Sequence, residues 1–261
     1  MHTKPKKSLG QNFLIDPNIR RKIITACALA GDDCVLEIGA GRGELSRLIA
    51  PHVEKLFVVE LDQRYCLALD ELFSGKSNVT VINQDILTVS LGKYARRVQK
   101  KIKVIGNIPY YISSPILAYL VRNRCLIHQA FLTVQKEFAV RLCAQAASRD
   151  YGPLSCFVQY HMHARRLFPI KKTCFLPAPR VDSEFMCLTM REQPAVEVSD
   201  EDRFFAVIRR AFGQRRKMLK NSLKGIVSQE KIADFFHTRN ICATARAEEL
   251  TLDDFARLAS R

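Results

Sequence analysis

Asn107-Ile108-Pro109-Tyr110 puts a side-chain amide, a proline-fixed turn and an aromatic ring at the end of the strand-like run Ile102-Lys103-Val104-Ile105-Gly106. An amide oxygen accepts a hydrogen bond from an exocyclic amino group, and a tyrosine ring stacks on a flat heterocycle. Proline removes one backbone donor and fixes φ, which leaves nearby carbonyls free to accept. These residue types in this order suit a clamp on the amino edge of a nucleobase. They equally describe a strand that ends in a tight turn with a buried tyrosine, so the surroundings must decide.

A second chemical cluster lies upstream, in Glu37-Ile38-Gly39-Ala40-Gly41-Arg42-Gly43 between a strand-like and a helix-like run. Glycines let the backbone turn tightly and approach a ligand closely. A dinucleotide fingerprint, G-x-G-x-x-G, needs its third glycine where this chain has Glu44. Glu37 also suits a cationic ligand better than a pyrophosphate. Glu60 ends the next strand-like run, where an acid can take the two hydroxyls of a ribose. Asp85 ends the third and can accept from an adenine amino group. Glycines followed by acids after successive strands favour S-adenosylmethionine, which carries a sulfonium and no pyrophosphate.

The elements that must position these groups alternate. Asp16-Pro17 reads as an N-cap and first helical residue, opening a helix to about Ala30. Strands are expected at Cys34 to Ile38, Lys55 to Glu60, Val79 to Asn83, Ile102 to Gly106 and Gln129 to Val134. Helices are expected at Glu44 to Ala50, Gln63 to Phe73, Pro115 to Arg122 and Lys136 to Ala146. Such alternation predicts an α/β fold, a mostly parallel sheet covered on both faces. Leu154 to His163 and Val181 to Thr189 read as late strands. Beyond Gln193 the pattern turns helical, with Phe204, Phe205, Val207, Ile208 and Phe212 opening a set of short amphipathic helices. The expected organisation is a catalytic domain over 1–193 and a small all-α domain over 194–261.

The formal charge of +15 and the isoelectric point near 9.6 point to a polyanionic partner. Residues 1–180 carry 27 Lys+Arg against 13 Asp+Glu, while 181–261 carry 14 against 13. Within that balanced tail Arg209, Arg210, Arg215, Arg216, Lys217, Lys220 and Lys224 form an acid-free basic stretch. No run approaches the apolar length of a membrane span, and charges interrupt any leader-like segment near the start, so the expected location is the cytoplasm and the expected polyanion nucleic acid. Nine cysteines without a C-x-x-C pair argue against a zinc site and a disulfide framework, and read as reduced, small core residues. His161 and His163 share a face of the expected strand and read as structural or surface groups. No metal is expected.

Gly10-Gln11-Asn12-Phe13-Leu14, the Gly39/Gly41/Gly43 loop, Gln84-Asp85 and Asn107-Ile108-Pro109-Tyr110 occur in order along the chain. They are followed by Gln135-Lys136-Glu137, Tyr151-Gly152, Pro179-Arg180-Val181-Asp182-Ser183 and Phe212-Gly213-Gln214-Arg215-Arg216-Lys217. With this ordered set the chain resembles the ribosomal RNA adenine N6,N6-dimethyltransferases, specifically the bacterial small-subunit type, over nearly its whole length. The resemblance implies a Rossmann-like S-adenosylmethionine-dependent methyltransferase sheet flanked by helices. It implies cofactor contacts from Asn12, Leu14, Gly39, Gly41, Glu60, Asp85 and Asn107. It also implies a target-base site of Asn107, Pro109 and Tyr110, with Phe175 closing over the other side of the ring. Departures from the family pattern are Ala40, Tyr111 and Leu176-Pro177-Ala178-Pro179, which bear on the fine shape of the pocket.

The implied reaction is methyl transfer to N6 of two adjacent adenosines near the 3′ end of small-subunit ribosomal RNA, with a role in maturation of the 30S particle. The expected partner is that RNA or the immature particle, bound by a monomer without a membrane. Arg215, Arg216, Lys217 and Lys220 in the Arg209–Lys224 cluster, together with the basic N-terminal surface, are candidates for phosphate contacts, whereas Arg209 and Arg210 equally suit packing of the C-terminal helices. Three other readings remain: a methyltransferase of large-subunit RNA, a non-catalytic assembly factor, and a nicotinamide oxidoreductase. The glycine spacing disfavours the last. The intact loop and acids argue against the second, and the tail Gln214-Arg215-Arg216-Lys217 with Asn221-Ser222-Leu223 against the first.

Overall fold

The computed structural model describes residues 10–98, 100–214 and 217–260, excepting the side chains at 96–98. The first half of the chain runs through β1 (Phe13–Leu14), α1 (Pro17–Cys27), β2 (Cys34–Ile38), α2 (Ser46–Ile49), β3 (Lys55–Glu60), α3 (Gln63–Leu72), β4 (Val79–Asn83), α4 (Leu91–Val98), β5 (Ile102–Asn107) and α5 (Ser113–Arg122). It continues through β6 (Ile127–Gln135), α6 (Lys136–Cys143), α7 (Pro153–His161), β7 (Met162–Ile170), β8 (Phe175–Leu176) and β9 (Ser183–Met190). The helices α8 (Glu201–Phe212), α9 (Leu219–Ser222), α10 (Gln229–Thr238) and α11 (Leu252–Ala259) complete it.

Seven strands form one sheet in the order β4-β3-β2-β5-β6-β9-β7. The run from β4 to β6 is parallel, and β9 joins β6 antiparallel. Parallel strands linked by helices are covered on both faces, so they read as continuous apolar runs rather than alternating ones. β2 does so, being buried at all five positions of Cys-Val-Leu-Glu-Ile. The strand order reverses between β2 and β5, and a crevice opens beyond the carboxyl ends of strands at such a switch point. Gly106 lets these two strands close up there: a Cβ on it would lie 3.1 Å from the Ile38 carbonyl oxygen and 3.0 Å from Ile108 Cγ2.

The chain divides into two compact units, one comprising residues up to Ala139 and Arg165–Met190, the other Val140–Ala164 and Arg191 onward. In the first, Ile23, Val35, Ile49, Leu56, Val58, Ile105, Phe131 and Phe185 belong to one core cluster. Full burial of each such side chain contributes about 1.5–3 kcal/mol. α1 starts where Asp16 accepts from the N–H groups of Asn18 and Ile19 at 2.8 and 3.1 Å. It ends at Cys27, three residues short of the expected Ala30, because Ala28 turns into the left-handed region with φ 44°. In the second unit Phe204, Val207, Ile208, Phe212, Leu219 and Phe255 are core residues. Three of its helices, α8, α10 and α11, open on side-chain caps from Asp200, Ser228 and Thr251.

Residues 154–163 correct one expectation. They are mostly helix α7, not a strand, and the chain turns extended only at Met162. Pro153 occupies the first turn and the Ser155 hydroxyl accepts from the Gly152 N–H at 3.1 Å, which is helix-start chemistry. The apolar residues that resemble a strand pattern are instead absorbed by the core of the second unit, where Cys156 and Tyr160 are buried. His161 and His163 therefore share no strand face: His161 is buried at the end of α7 and His163 is exposed on β7. A single cut at Gln193 would leave α7 with the first unit, whereas its packing puts it with the C-terminal helices.

All nine cysteines are free, five of them buried, but Cys125 and Cys242 are exposed rather than core residues. Among the described residues no helix is long and apolar enough to cross a membrane, and no group of three or more His, Cys, Asp or Glu side chains is placed to hold a metal ion.

Candidate active site

A cavity opens at the switch point, and its walls bring together most of the singled-out residues: Asn12, Leu14, Gly39, Gly41, Glu60, Asp85, Asn107, Pro109 and Tyr110 all line it. Four strand ends supply them. β2 runs into the glycine loop, β3 ends on Glu60, β4 leads into Asp85 and β5 ends on Asn107. Residues 10–14 form the remaining wall, where β1 pairs antiparallel with β8.

The glycine loop is locked to β3 through Glu60. One carboxylate oxygen accepts from the Gly41 N–H at 2.8 Å and the other from the Asp62 N–H at 2.9 Å. Burial raises the Glu60 pKa, and these two backbone donors pull it back. A carboxylate offers about four acceptor positions, so two remain for hydroxyl donors. Gly41 has φ 54°, and a Cβ there would sit 2.7 Å from the Phe13 ring, so both conformation and space require glycine. Asp85 caps the turn after β4, its Oδ1 accepting from the Leu87 N–H at 3.0 Å.

Asn107 donates from Nδ2 to the backbone carbonyl of Asn12 at 2.8 Å. A carbonyl can only accept, so this contact identifies the nitrogen end of the amide and leaves Oδ1 as the free acceptor of a residue that lines the cavity. Of the two neighbouring carbonyls, that of Pro109 accepts from the Ile112 N–H at 3.2 Å. The Ile108 carbonyl makes no such bond among the described residues. Tyr110 shares a 2.6 Å hydrogen bond between its hydroxyl and Ser183 at the start of β9. Burial raises the phenol pKa, so the hydroxyl stays neutral.

Phe175 does not join this wall. Its ring is 2% exposed and belongs to the same core cluster as Leu14, Phe168 and Phe185, because β8 pairs with β1 and carries Phe175 opposite Leu14. Instead Tyr111, 60% exposed, lies at the cavity with its ring against Gly10, where a Cβ would meet it at 3.2 Å. Ser183 and Tyr111 belong to the quoted signature and its departures, but nothing in their spacing discloses these contacts. Gln84, Gln11 and Phe13 also line the cavity. Of the expected phosphate-binding residues, Lys217 and Lys220 are exposed in the second unit, as are Arg209 and Arg210, while Arg215 and Arg216 lie outside the described residues.

Comparison with known proteins identifies the lineage. The family model for ribosomal RNA adenine dimethylase matches residues 2–261. The chain belongs to the ribosomal RNA adenine dimethylase family. Among curated members, it is 40% identical to the ribosomal RNA small subunit methyltransferase A of Oceanobacillus iheyensis, over 99% of this chain and 90% of that protein. It is 41% identical to that of Streptococcus gordonii, over 97% and 90%. Among solved structures it is similar to a dimethyladenosine transferase from Plasmodium falciparum, with TM-score 0.80, 26% identity and coverage of 94% and 95%. It is also similar to the 23S rRNA methyltransferase ErmE, with TM-score 0.75, 25% identity and coverage of 95% and 98%.

A methyltransferase of this dimethylase family uses S-adenosylmethionine, and the cavity suits that molecule. Glu37 is 2% exposed, lines the cavity, and its Oε2 is buried with no hydrogen-bond partner. Burial drives its pKa up to about 8, with repulsion from Glu44 and Glu60 in the same direction. Ser46 hydrogen bonds pull the other way without offsetting burial, and the orphaned oxygen is costly unless a cation or donor reaches it. The ammonium or sulfonium of S-adenosylmethionine supplies such a cation; a pyrophosphate would add to the repulsion.

Proposed function

We propose that this dimethylase transfers methyl groups from S-adenosylmethionine to N6 of two adjacent adenosines near the 3′ end of small-subunit (16S) ribosomal RNA during maturation of the 30S particle. The observation that carries the reading is the Asn107 amide, held by its nitrogen end on the Asn12 carbonyl with its oxygen left as an acceptor, in the wall of the cavity that Glu37, Glu60 and Asp85 also line. The relatives of about 40% identity named for the small subunit support that choice of RNA over the large-subunit substrate named for the neighbour at 25%.

Glu60 and Asp85 would hold the ribose and the adenine amino group of the cofactor, Gly39 and Gly41 the backbone approach, and Asn12 and Leu14 the facing wall. When bound, the cofactor supplies an electrophilic methyl group on a sulfonium. Adenine N6 is a poor nucleophile because its lone pair is delocalised into the ring. Asn107 Oδ1 accepts one N6–H and the Ile108 carbonyl the other, so that the lone pair is turned out of the ring plane towards the methyl donor. The proton leaves to water as the nitrogen becomes cationic. Alignment of this kind supplies several kcal/mol without a general base. Tyr110, steadied by Ser183, stacks on the base for about 1–3 kcal/mol. Extracting the adenosine from its stack is cheapest in an unpaired segment.

The test is methyl transfer from labelled cofactor to purified small-subunit particles and to free large-subunit RNA, with the modified nucleoside identified. N6,N6-dimethyladenosine in the small-subunit RNA is the expected product. Label confined to large-subunit RNA, or absent from both, overturns the reading.

A further inference from the structure

Beside the cofactor cavity lies a second groove of about 490 Å³, lined by Arg20, Arg21, Arg42 and Arg47 with Pro17, Glu44 and Leu48. Two guanidiniums come from the first turns of α1 and two from the segment that leaves the glycine loop and enters α2. None makes an ion pair within 4 Å among the described residues. Arg20 donates from Nε to the Leu14 carbonyl at 2.7 Å, and Arg21 to the Asn18 side chain at 2.8 Å. Arg42 lies over the Phe13 ring at 4.5 Å. Glu44 is the one carboxylate in the lining; burial raises its pKa, and Arg20 and Arg42 lower it. The Asp16 carboxylate, at the head of α1 and outside the lining, accepts from the N–H groups of Asn18 and Ile19 and also attracts Arg20.

Four like charges around one acid repel one another and weaken the fold locally. A concave surface of one sign focuses the field, which is what an anion-binding site needs. The surplus of three charges exceeds what one phosphodiester neutralises, and matches about three of them. An extended polyanion fits; a single small anion leaves the groove undersatisfied. Glu44 lines both this groove and the cofactor cavity, and Phe13 beneath Arg42 lines the cavity too, so the groove continues the rim of the site. We infer that the Arg20/Arg21/Arg42/Arg47 groove binds the phosphodiester backbone of the substrate RNA next to the nucleotide that enters the cavity. This rests on the RNA-methylating reading above and adds a binding surface separate from the basic C-terminal stretch.

The experiment uses the full-length protein and a small-subunit RNA fragment, with Kd measured from 50 to 300 mM KCl. The variant is Arg21→Gln/Arg47→Gln, which removes the two exposed guanidiniums and no residue of the cofactor cavity. Each lost phosphate contact lowers the slope of log K against log salt by about 0.7–0.9. The double variant should therefore flatten it by about 1.4–1.8 and weaken binding at 0.1 M roughly 25–60-fold. Cofactor affinity by calorimetry and turnover at saturating RNA should stay at wild-type values. The charge-matched control Lys76→Gln/Lys101→Gln, on exposed lysines outside the groove, should leave the slope nearly unchanged. An unaltered slope in the arginine variant, or an equal loss in the lysine control, overturns the assignment. Methylation of the same RNA by the wild-type protein tests the functional reading on its own, so the two fail separately.

Discussion

Asn107 allows the reaction geometry to be tested by comparing two substitutions at one position. Its Nδ2 donates to the Asn12 carbonyl at 2.8 Å in a half-buried setting, a bond that contributes about 0.5–1.5 kcal/mol. Asn107→Ala removes that bond and the free acceptor together, so it should cost about 1 kcal/mol of stability. Asn107→Asp keeps shape and acceptor but sets a carboxylate oxygen against a carbonyl that can only accept. It should cost about 1–3 kcal/mol, because the Asn12 oxygen loses its donor and the side chain swings away. For methyl transfer both lose the aim of N6, and a 100-fold fall corresponds to about 2.7 kcal/mol of lost alignment. Single-turnover transfer to small-subunit RNA, with unfolding in urea and cofactor Kd measured alongside, separates the effects. The expected result is a rate at least about 100-fold down in both variants, with cofactor Kd changed less than about 10-fold. Should Asn107→Ala transfer within about threefold of wild type, or Asn107→Asp prove as stable as wild type, the geometry argued above is wrong.

The carboxyl of Glu37, pushed up to about 8 by burial, makes stability fall with pH: below about 4.5 both states are protonated, and above it only the unfolded chain ionises until pH 8. Glu37→Gln should remove a loss on the order of 5 kcal/mol across that window, read as a flatter urea midpoint against pH; an equally steep profile refutes it. Cofactor binding at pH 7 should release a proton from this group, visible as a calorimetric enthalpy that varies with the buffer's ionisation heat and ceases to vary in Glu37→Gln. Gly106→Ala forces a Cβ to within 3.1 Å of the Ile38 carbonyl oxygen and should cost about 1–3 kcal/mol of overpacking; an unshifted urea midpoint would show that β2 and β5 can part freely. Tyr110→Phe and Ser183→Ala should each lose the shared hydrogen bond, and a double-mutant cycle should give a coupling of about 0.5–1.5 kcal/mol, whereas zero coupling would dissolve the link between β9 and the base-stacking ring.

Much of the first unit was legible in the chain because its signals are local. Cys34–Ile38, Lys55–Glu60 and Val79–Asn83 are short apolar runs bounded by turn residues, and the structure has strands at those positions. The acids at their ends fall on the cavity for the same reason: in a parallel sheet every carboxyl end faces one way. The misreadings are cases where distant packing outweighs local pattern. Leu154–His163 has a strand's apolar content, but the Pro153 start and the core of the second unit make it helical. Phe175 carries the right chemistry to cover a base, yet pairing of β8 with β1 turns its ring into the core. The Ser183 hydroxyl on Tyr110 spans 73 positions, and no spacing rule reaches that far.

β5 determines where the Asn107 amide sits, but not which of its two chemically opposite ends faces outward. That choice is made by the Asn12 carbonyl, 95 residues upstream. Moved onto another sheet, the tetrapeptide would bring the position of the amide without its polarity. The portable unit of this chemistry is therefore two segments, and whatever disturbs the first reverses the meaning of the second.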